Sequence, residues 1–126
     1  MTYSVLNNQS CSNINAIRAS EFTSYSIRFR HGNEIEKQIS KLYDLLAYNH
    51  SQIKHFYDKC ILNEKPLINL YNMYNLLSLN NNHLVRRFQK LLILNPTNLE
   101  YNNLMTYHLI SSVNYSKAAD LYKLYK

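Results

Sequence analysis

Hydrophobic side chains recur at helical spacing along most of the chain after residue 33. Ile35, Ile39, Leu42 and Leu46 follow one another at steps of four, three and four residues, which places them on one face of a helix. Comparable apolar stripes return in five later stretches, at residues 53–61, 67–77, 84–92, 101–109 and 115–125. The pattern therefore predicts an all-α chain of about six helices.

Short polar runs separate these apolar stripes and predict where each helix ends. Asn33 with Glu36, and Thr97 with Glu100, have the spacing of a capping box at a helix N-terminus. Because the runs are short, consecutive helices are expected to be antiparallel neighbours. The predicted breaks are residues 49–51, 63–66, 80–82, 95–97 and 111–114.

Residues 1–33 differ in composition from the helical part at residues 34–126. They are rich in Ser and Asn and carry one acid, Glu21, against three arginines: Arg18, Arg28 and Arg30. An Arg-rich, Ser-rich and acid-poor segment is typical of an organellar transit peptide. The stretch is therefore predicted to be a basic leader. A plain N-terminal tail and an edge strand over the alternating residues 25–30 are the alternatives.

Composition narrows the classes of function. The chain has one Gly and two Pro, a net charge of +6 and a pI near 9.3. So little glycine disfavours a turn-rich β fold and a Gly-rich phosphate loop. The positive charge permits an acidic partner such as RNA, an anionic membrane surface or an acidic protein. The five His and two Cys show no metal-ligand spacing, and no apolar run approaches the length of a membrane span. We therefore expect no metal, no cofactor, no membrane span and no catalysis.

Spacings between helices suggest an internal repeat. Phe56 aligns with Phe88, and Phe88 aligns with Tyr122, at separations in the low to middle thirties. Such a period is typical of helix-hairpin solenoids, in which each hairpin stacks on its neighbour. A non-repetitive helical bundle with helices of equal length is the alternative.

The C-terminal half resembles a known superfamily of repeats. Pro96, Tyr101, Asn102 and Leu104 resemble the start of a pentatricopeptide repeat, and residues 115–122 resemble its second helix. The same second half is also similar to a tetratricopeptide repeat. The resemblance covers residues 65–126 and implies antiparallel hairpins stacked as a short α-solenoid. A pentatricopeptide protein would bind single-stranded RNA in a mitochondrial or other organellar matrix. A tetratricopeptide protein would hold a protein or peptide on its concave face.

The pentatricopeptide resemblance also assigns candidate RNA-binding residues. Asn69 and Asn103 take the base-reading position on a first helix, and Asn98 takes the position at the end of a repeat. The nearby basic residues, which could contact phosphates or form a solvated face, are Arg86, Arg87 and Lys90.

Taken together, these features predict a non-catalytic organellar RNA-binding protein or part of a ribonucleoprotein, acting in RNA processing, stability or translation. The alternatives are a protein-interaction scaffold and a small helical subunit of a larger assembly, with a cytoplasmic location also possible.

Overall fold

The structure, a computed structural model, describes the backbone of residues 3–123 and the side chains of residues 7–123. This part of the chain contains four α-helices and no strand, so the all-α prediction is confirmed. The helices are α1 (Tyr3–Phe29), α2 (Glu34–Ile61), α3 (Leu70–Leu94) and α4 (Leu99–Tyr122).

The predicted number of six helices is too high, because three predicted breaks lie inside long helices. Residues 49–51 are within α2, residues 80–82 within α3 and residues 111–114 within α4. Their polar side chains bond to a neighbouring helix. Asn80 donates through Nδ2 to Oδ1 of Asn49 at 2.9 Å. A buried polar group with such a partner has no need of solvent, so the helix continues through it.

The N-terminal stretch forms α1, which packs along α2. The edge-strand alternative for residues 25–30 is therefore wrong. Ser40 donates from Oγ to the carbonyl of Ser26 at 2.7 Å, and Phe22 and Phe29 are buried in the core. Residues 3–29 are thus a helix of the folded domain. Their predicted role as a targeting leader remains a prediction.

The four helices form an up-and-down bundle around one core. Close packing joins α1 to α2, α2 to α3 and α3 to α4, whereas α1 and α4 are not packed closely. The ring of Phe22 stacks on Tyr43 with centroids 5.7 Å apart, and Phe88 stacks on His108 at 6.2 Å. One aromatic core therefore receives side chains from all four helices.

Asparagine caps begin three of the helices. Asn33 accepts from the N–H of Glu36 at 2.9 Å, and the Glu36 side chain accepts from the N–H of Asn33 at 3.1 Å, so the predicted capping box is confirmed. A Cβ atom added at Gly32 would lie 2.6 Å from Cβ of Glu36, so glycine leaves room for the returning carboxylate. Asn69 caps α3.

The predicted capping box at Thr97 is wrong by one residue. Asn98 is the N-cap of α4, and its side chain accepts from the N–H of Tyr101 at 2.9 Å. The carboxylate of Glu100 forms a salt bridge with Arg28 instead of returning to the cap.

Replacement of the two candidate caps distinguishes the predicted helix start from the observed one. Asn98→Ala should lower the free energy of unfolding by about 1 kcal/mol, because the Tyr101 N–H loses its acceptor. Thr97→Ala should change it by less than about 0.5 kcal/mol. Urea denaturation of both variants measures this, and a larger loss in Thr97→Ala would contradict the observed cap.

Candidate functional site

A buried hydrogen-bonded chain links α2, α3 and α4. The Asn81 amide donates through Nδ2 to the carbonyl of Leu77 at 2.7 Å, which leaves its oxygen to accept from Nδ1 of His108 at 2.7 Å. The hydroxyl of Tyr43 then donates to Nε2 of His108 at 2.8 Å. Both ring nitrogens of His108 are therefore engaged, and its tautomer is defined.

A second buried asparagine–histidine pair links α1 and α2. Asn15 donates through Nδ2 to the carbonyl of Cys11 at 2.8 Å, and its oxygen accepts from Nδ1 of His50 at 2.8 Å. Nε2 of His50 is buried without a hydrogen-bond partner. The imidazole packs instead against the rings of Phe22, at 5.5 Å, and Tyr115, at 6.0 Å.

Burial keeps both imidazoles neutral. Loss of solvent lowers the pKa of His108 to about 3. It lowers the pKa of His50 to about 4, with a smaller contribution from the charge of Arg18. Burial also raises the pKa of the Tyr43 hydroxyl well above its usual range. At neutral pH these groups are uncharged hydrogen-bonding members of the core.

The two Asn–His pairs occupy equivalent positions in the α1–α2 and α3–α4 hairpins, a relation that the sequence analysis missed. Three residues of α1 have identical counterparts in α3 at the same mutual spacing: Ser12, Asn15 and Phe22 match Ser78, Asn81 and Phe88. Four residues of α2 match α4 in the same way: Tyr43, Leu46, His50 and Tyr57 correspond to Tyr101, Leu104, His108 and Tyr115. Aligning the two halves of the chain on identical polar and aromatic residues would have found this pattern. The shorter spacings from Phe56 to Phe88 and from Phe88 to Tyr122 instead join consecutive helices.

A cleft lies between α1 and α4, and we call it the α1/α4 cleft. Its volume is about 550 Å³. A salt bridge between Arg28 and Glu100 spans the two helices near one end, and Arg18 contacts Glu21 at 3.2 Å towards the other. The lining residues are Arg18, Glu21, Phe22, Tyr25, Arg28, Leu99, Glu100, Asn103, Leu104, Tyr107 and His108.

Exposed apolar side chains continue along the same side of the bundle. Arg18 and Tyr107 also line a second cavity of about 350 Å³ together with Ile110, so these parts of α1 and α4 are level with each other. Ile14 and Ile17 lie one helical turn before Arg18 and Glu21 on α1, on the side of the helix that lines the cleft. We call Ile14, Ile17 and Ile110 the apolar patch; their exposed fractions are 54%, 58% and 57%.

A group of cations lies near the end of the bundle where α1 and α3 finish. The Arg87 guanidinium donates through Nε to Oε1 of Gln38 at 2.7 Å, which brings the basic segment of α3 against α2. Acids lie among these cations: Glu34 and Asp44 line the same cavity as Arg30, Lys37 and Lys41, and Glu36 and Glu100 are in the first turns of α2 and α4 at this end. We call this surface the basic end; its cations are Arg30, Lys37, Lys41, Arg86, Arg87 and Lys90.

The structure separates the predicted RNA-binding residues into three places. The basic end contains Arg86, Arg87 and Lys90, and Asn98 caps α4 at the same end. Asn103 lines the α1/α4 cleft. Asn69 caps α3 at the opposite end. The 25 residues of α3 separate Asn69 from Asn98 by about 37 Å at 1.5 Å per residue. The Asn69 and Asn98 side chains are not brought together, and both accept hydrogen bonds from the backbone.

Comparison with known proteins provides no family for this chain. No family model, curated protein or solved structure matches it. Within residues 3–123, no helix is long and apolar enough to cross a bilayer. In the same part of the chain, no three His, Cys, Asp or Glu side chains are grouped so that they could hold a metal ion.

The buried imidazoles predict a loss of stability in mild acid. The unfolded chain takes up protons near pH 6.5, whereas folded His50 and His108 do so only near pH 4 and 3. Stability should therefore fall as the pH drops below about 6.5, by about 2 kcal/mol for each histidine at pH 5.

Urea denaturation at pH 7 and pH 5 measures this dependence. His108→Gln should reduce the difference between the two pH values by about 2 kcal/mol, because it removes one of the two groups. Asn102→Gln, at an exposed position of α4, is the control and should keep the wild-type difference, because it changes no titratable group. An unchanged pH dependence in His108→Gln would contradict the assignment.

Proposed function

We propose that this protein is a non-catalytic helical interaction module that binds a helix of a partner protein along its α1/α4 side. The apolar patch is the observation that carries the proposal. It lies on the two helices of the bundle that do not pack closely against each other. A partner helix laid there would cover apolar surface that is otherwise in contact with water.

The composition of α4 supports this assignment. Within the described residues, only His108 and Ala119 of α4 are buried. The helix nevertheless carries large apolar side chains on several faces, and the exposed ones include Leu99, Leu109, Ile110, Val113 and Leu121. Helices that are apolar around most of their circumference are usually covered on more than one side.

The groove favours a helical partner. The α1/α4 cleft and the second cavity follow each other along the seam and share Arg18 and Tyr107. An amphipathic helix with apolar side chains at positions i, i+3 or i+4, and i+7 fits such an elongated groove.

A matched pair of double variants tests this docking side. Ile17→Glu with Ile110→Glu should abolish recovery of the partner from a native extract, because two charges would have to be desolvated in the interface. Leu45→Glu with Leu79→Glu changes similarly exposed residues of α2 and α3 and should leave recovery intact. Quantitative mass spectrometry compares the two with wild type. If the two double variants recovered the same proteins in equal amounts, the proposal would be contradicted.

RNA binding is a second candidate function, favoured by the basic end. Six cations from α2, α3 and the segment after α1 lie near one end of the bundle. The acids at the same end are Glu34, Glu36, Asp44 and Glu100. Such a surface could contact the phosphates of single-stranded RNA without reading bases. The organellar role in RNA processing, stability or translation would rest on these contacts.

Mobility shift with single-stranded RNA over a salt series tests the second candidate. Arg86→Gln with Lys90→Gln should weaken binding for all sequences and reduce the salt slope by about 2, because two phosphate contacts are lost. Lys65→Gln with Lys117→Gln removes two exposed cations elsewhere and is the control for net charge. Equal weakening by the two pairs would exclude a specific role of the basic end.

A further inference from the structure

We propose that the α1/α4 cleft is a binding site for a small planar aromatic molecule that carries one anionic group. This site goes beyond partner docking, because its lining includes none of the apolar patch; a ligand there would occupy the end of the groove that a long partner helix would otherwise cover. Its volume of about 550 Å³ is within the range of about 300–1,000 Å³ that small-molecule sites occupy.

Aromatic rings line the cleft from both helices. Phe22 is only 3% exposed and lies between Tyr25, at a ring-centroid distance of 6.5 Å, and His108, at 6.1 Å. Tyr107 meets His108 edge-on at 5.1 Å and remains 39% exposed. Rings separated by about 4.5–7 Å in stacked or edge-to-face geometry attract one another. A flat ring system that entered the cleft would find such partners on both helices.

Arg18 is the group that would bind the anion. Among the described contacts its guanidinium makes one hydrogen bond, to Glu21 at 3.2 Å, whereas a guanidinium has five N–H donors. Arg28 is committed to Glu100 and lies over the ring of Phe29. Arg18 also lines both cavities of the seam, so its remaining donors are available to a carboxylate, sulfonate or phosphate.

The charge of the protein favours an anionic ligand over a cationic one. The cleft itself is balanced, since Glu21 and Glu100 offset Arg18 and Arg28. The whole chain has a net charge of +6, which raises the local concentration of anions. Asn103 of α4 lines the cleft and offers an amide for a second polar contact.

Three naphthalene probes test the ligand class by isothermal titration calorimetry at low salt. They share one ring system and differ in charge: 2-naphthoate, 2-naphthylmethanol and 2-naphthylmethylammonium. Naphthoate should bind with a dissociation constant about tenfold lower than the other two, because it alone gains a charge-assisted bond. Equal affinity of all three, tighter binding of the ammonium, or no binding of naphthoate at millimolar concentration would overturn the proposal.

Adjacent asparagines of α4 provide a matched pair of variants to locate the site. Asn103→Trp should fill the cleft and weaken naphthoate binding at least tenfold, whereas Asn102→Trp adds the same side chain outside the cleft lining and should leave it unchanged. Both positions are exposed, and circular dichroism checks that both variants fold. Wild-type affinity in Asn103→Trp would place the bound probe elsewhere and overturn the assignment.

Arg18→Met tests the anion contact separately. It should remove the advantage of naphthoate over naphthylmethanol and leave the affinity of the alcohol unchanged, while Arg86→Met at the basic end should alter neither. A retained preference for the acid in Arg18→Met would assign the anion to another residue and overturn this part of the proposal. Ile17→Glu with Ile110→Glu, neither of which lines the cleft, should still bind naphthoate, so failure of the ligand site and failure of partner docking are distinguishable.

Discussion

Hydrogen bonds between buried asparagine and histidine side chains hold the four helices in their observed register. An amide or imidazole that is buried without a partner costs on the order of 1–3 kcal/mol, so each of these groups restricts the position of its neighbour. The chain from Tyr43 through His108 to Asn81 joins three helices, and Asn15 joins α1 to His50 of α2. Sliding any helix by one turn would leave several of these groups without partners. The apolar core alone tolerates such shifts more easily, because its contacts are not directional.

The same constraint explains why one side of the bundle is open. Among the described hydrogen bonds, buried ones run between α1 and α2, α2 and α3, α3 and α4, and α2 and α4. Across the α1/α4 seam, the described bond is the exposed salt bridge between Arg28 and Glu100, and such pairs contribute about 0–1 kcal/mol. Ring contacts such as Phe22 with His108 also join α1 to α4, but among the described hydrogen bonds no buried one does. The seam is therefore the side of the bundle on which the α1/α4 cleft lies.

Some of the candidate sites could be predicted from the sequence, and others could not. The basic group of α3 was visible as a local cluster, and the fold places it beside Lys37 and Lys41 of α2. Asn103 was selected for base reading and instead lines the α1/α4 cleft, whereas Asn69 and Asn98 are helix caps. The cleft was not predictable, because its residues come from the first and last of the four helices and show no local motif. The recurrence of Asn15 and His50 as Asn81 and His108 was present in the sequence, but only the fold showed that these residues form buried hydrogen bonds between helices.

By itself, the sequence determined that the chain is helical, that α2 begins after an Asn33–Glu36 capping box, and where the turns before α3 and α4 lie. These features depend on residues close together in the chain, such as apolar side chains at steps of three and four. Tertiary structure decided whether a polar triplet interrupts a helix. From the sequence alone, the polar residues Asn49, His50 and Asn80 indicate solvent-exposed breaks between helices. In the fold, residues from distant parts of the chain supply their hydrogen-bond partners. A polar side chain favours a loop when water is its best partner and a helix interior when another helix supplies that partner, and only the packed fold determines which applies.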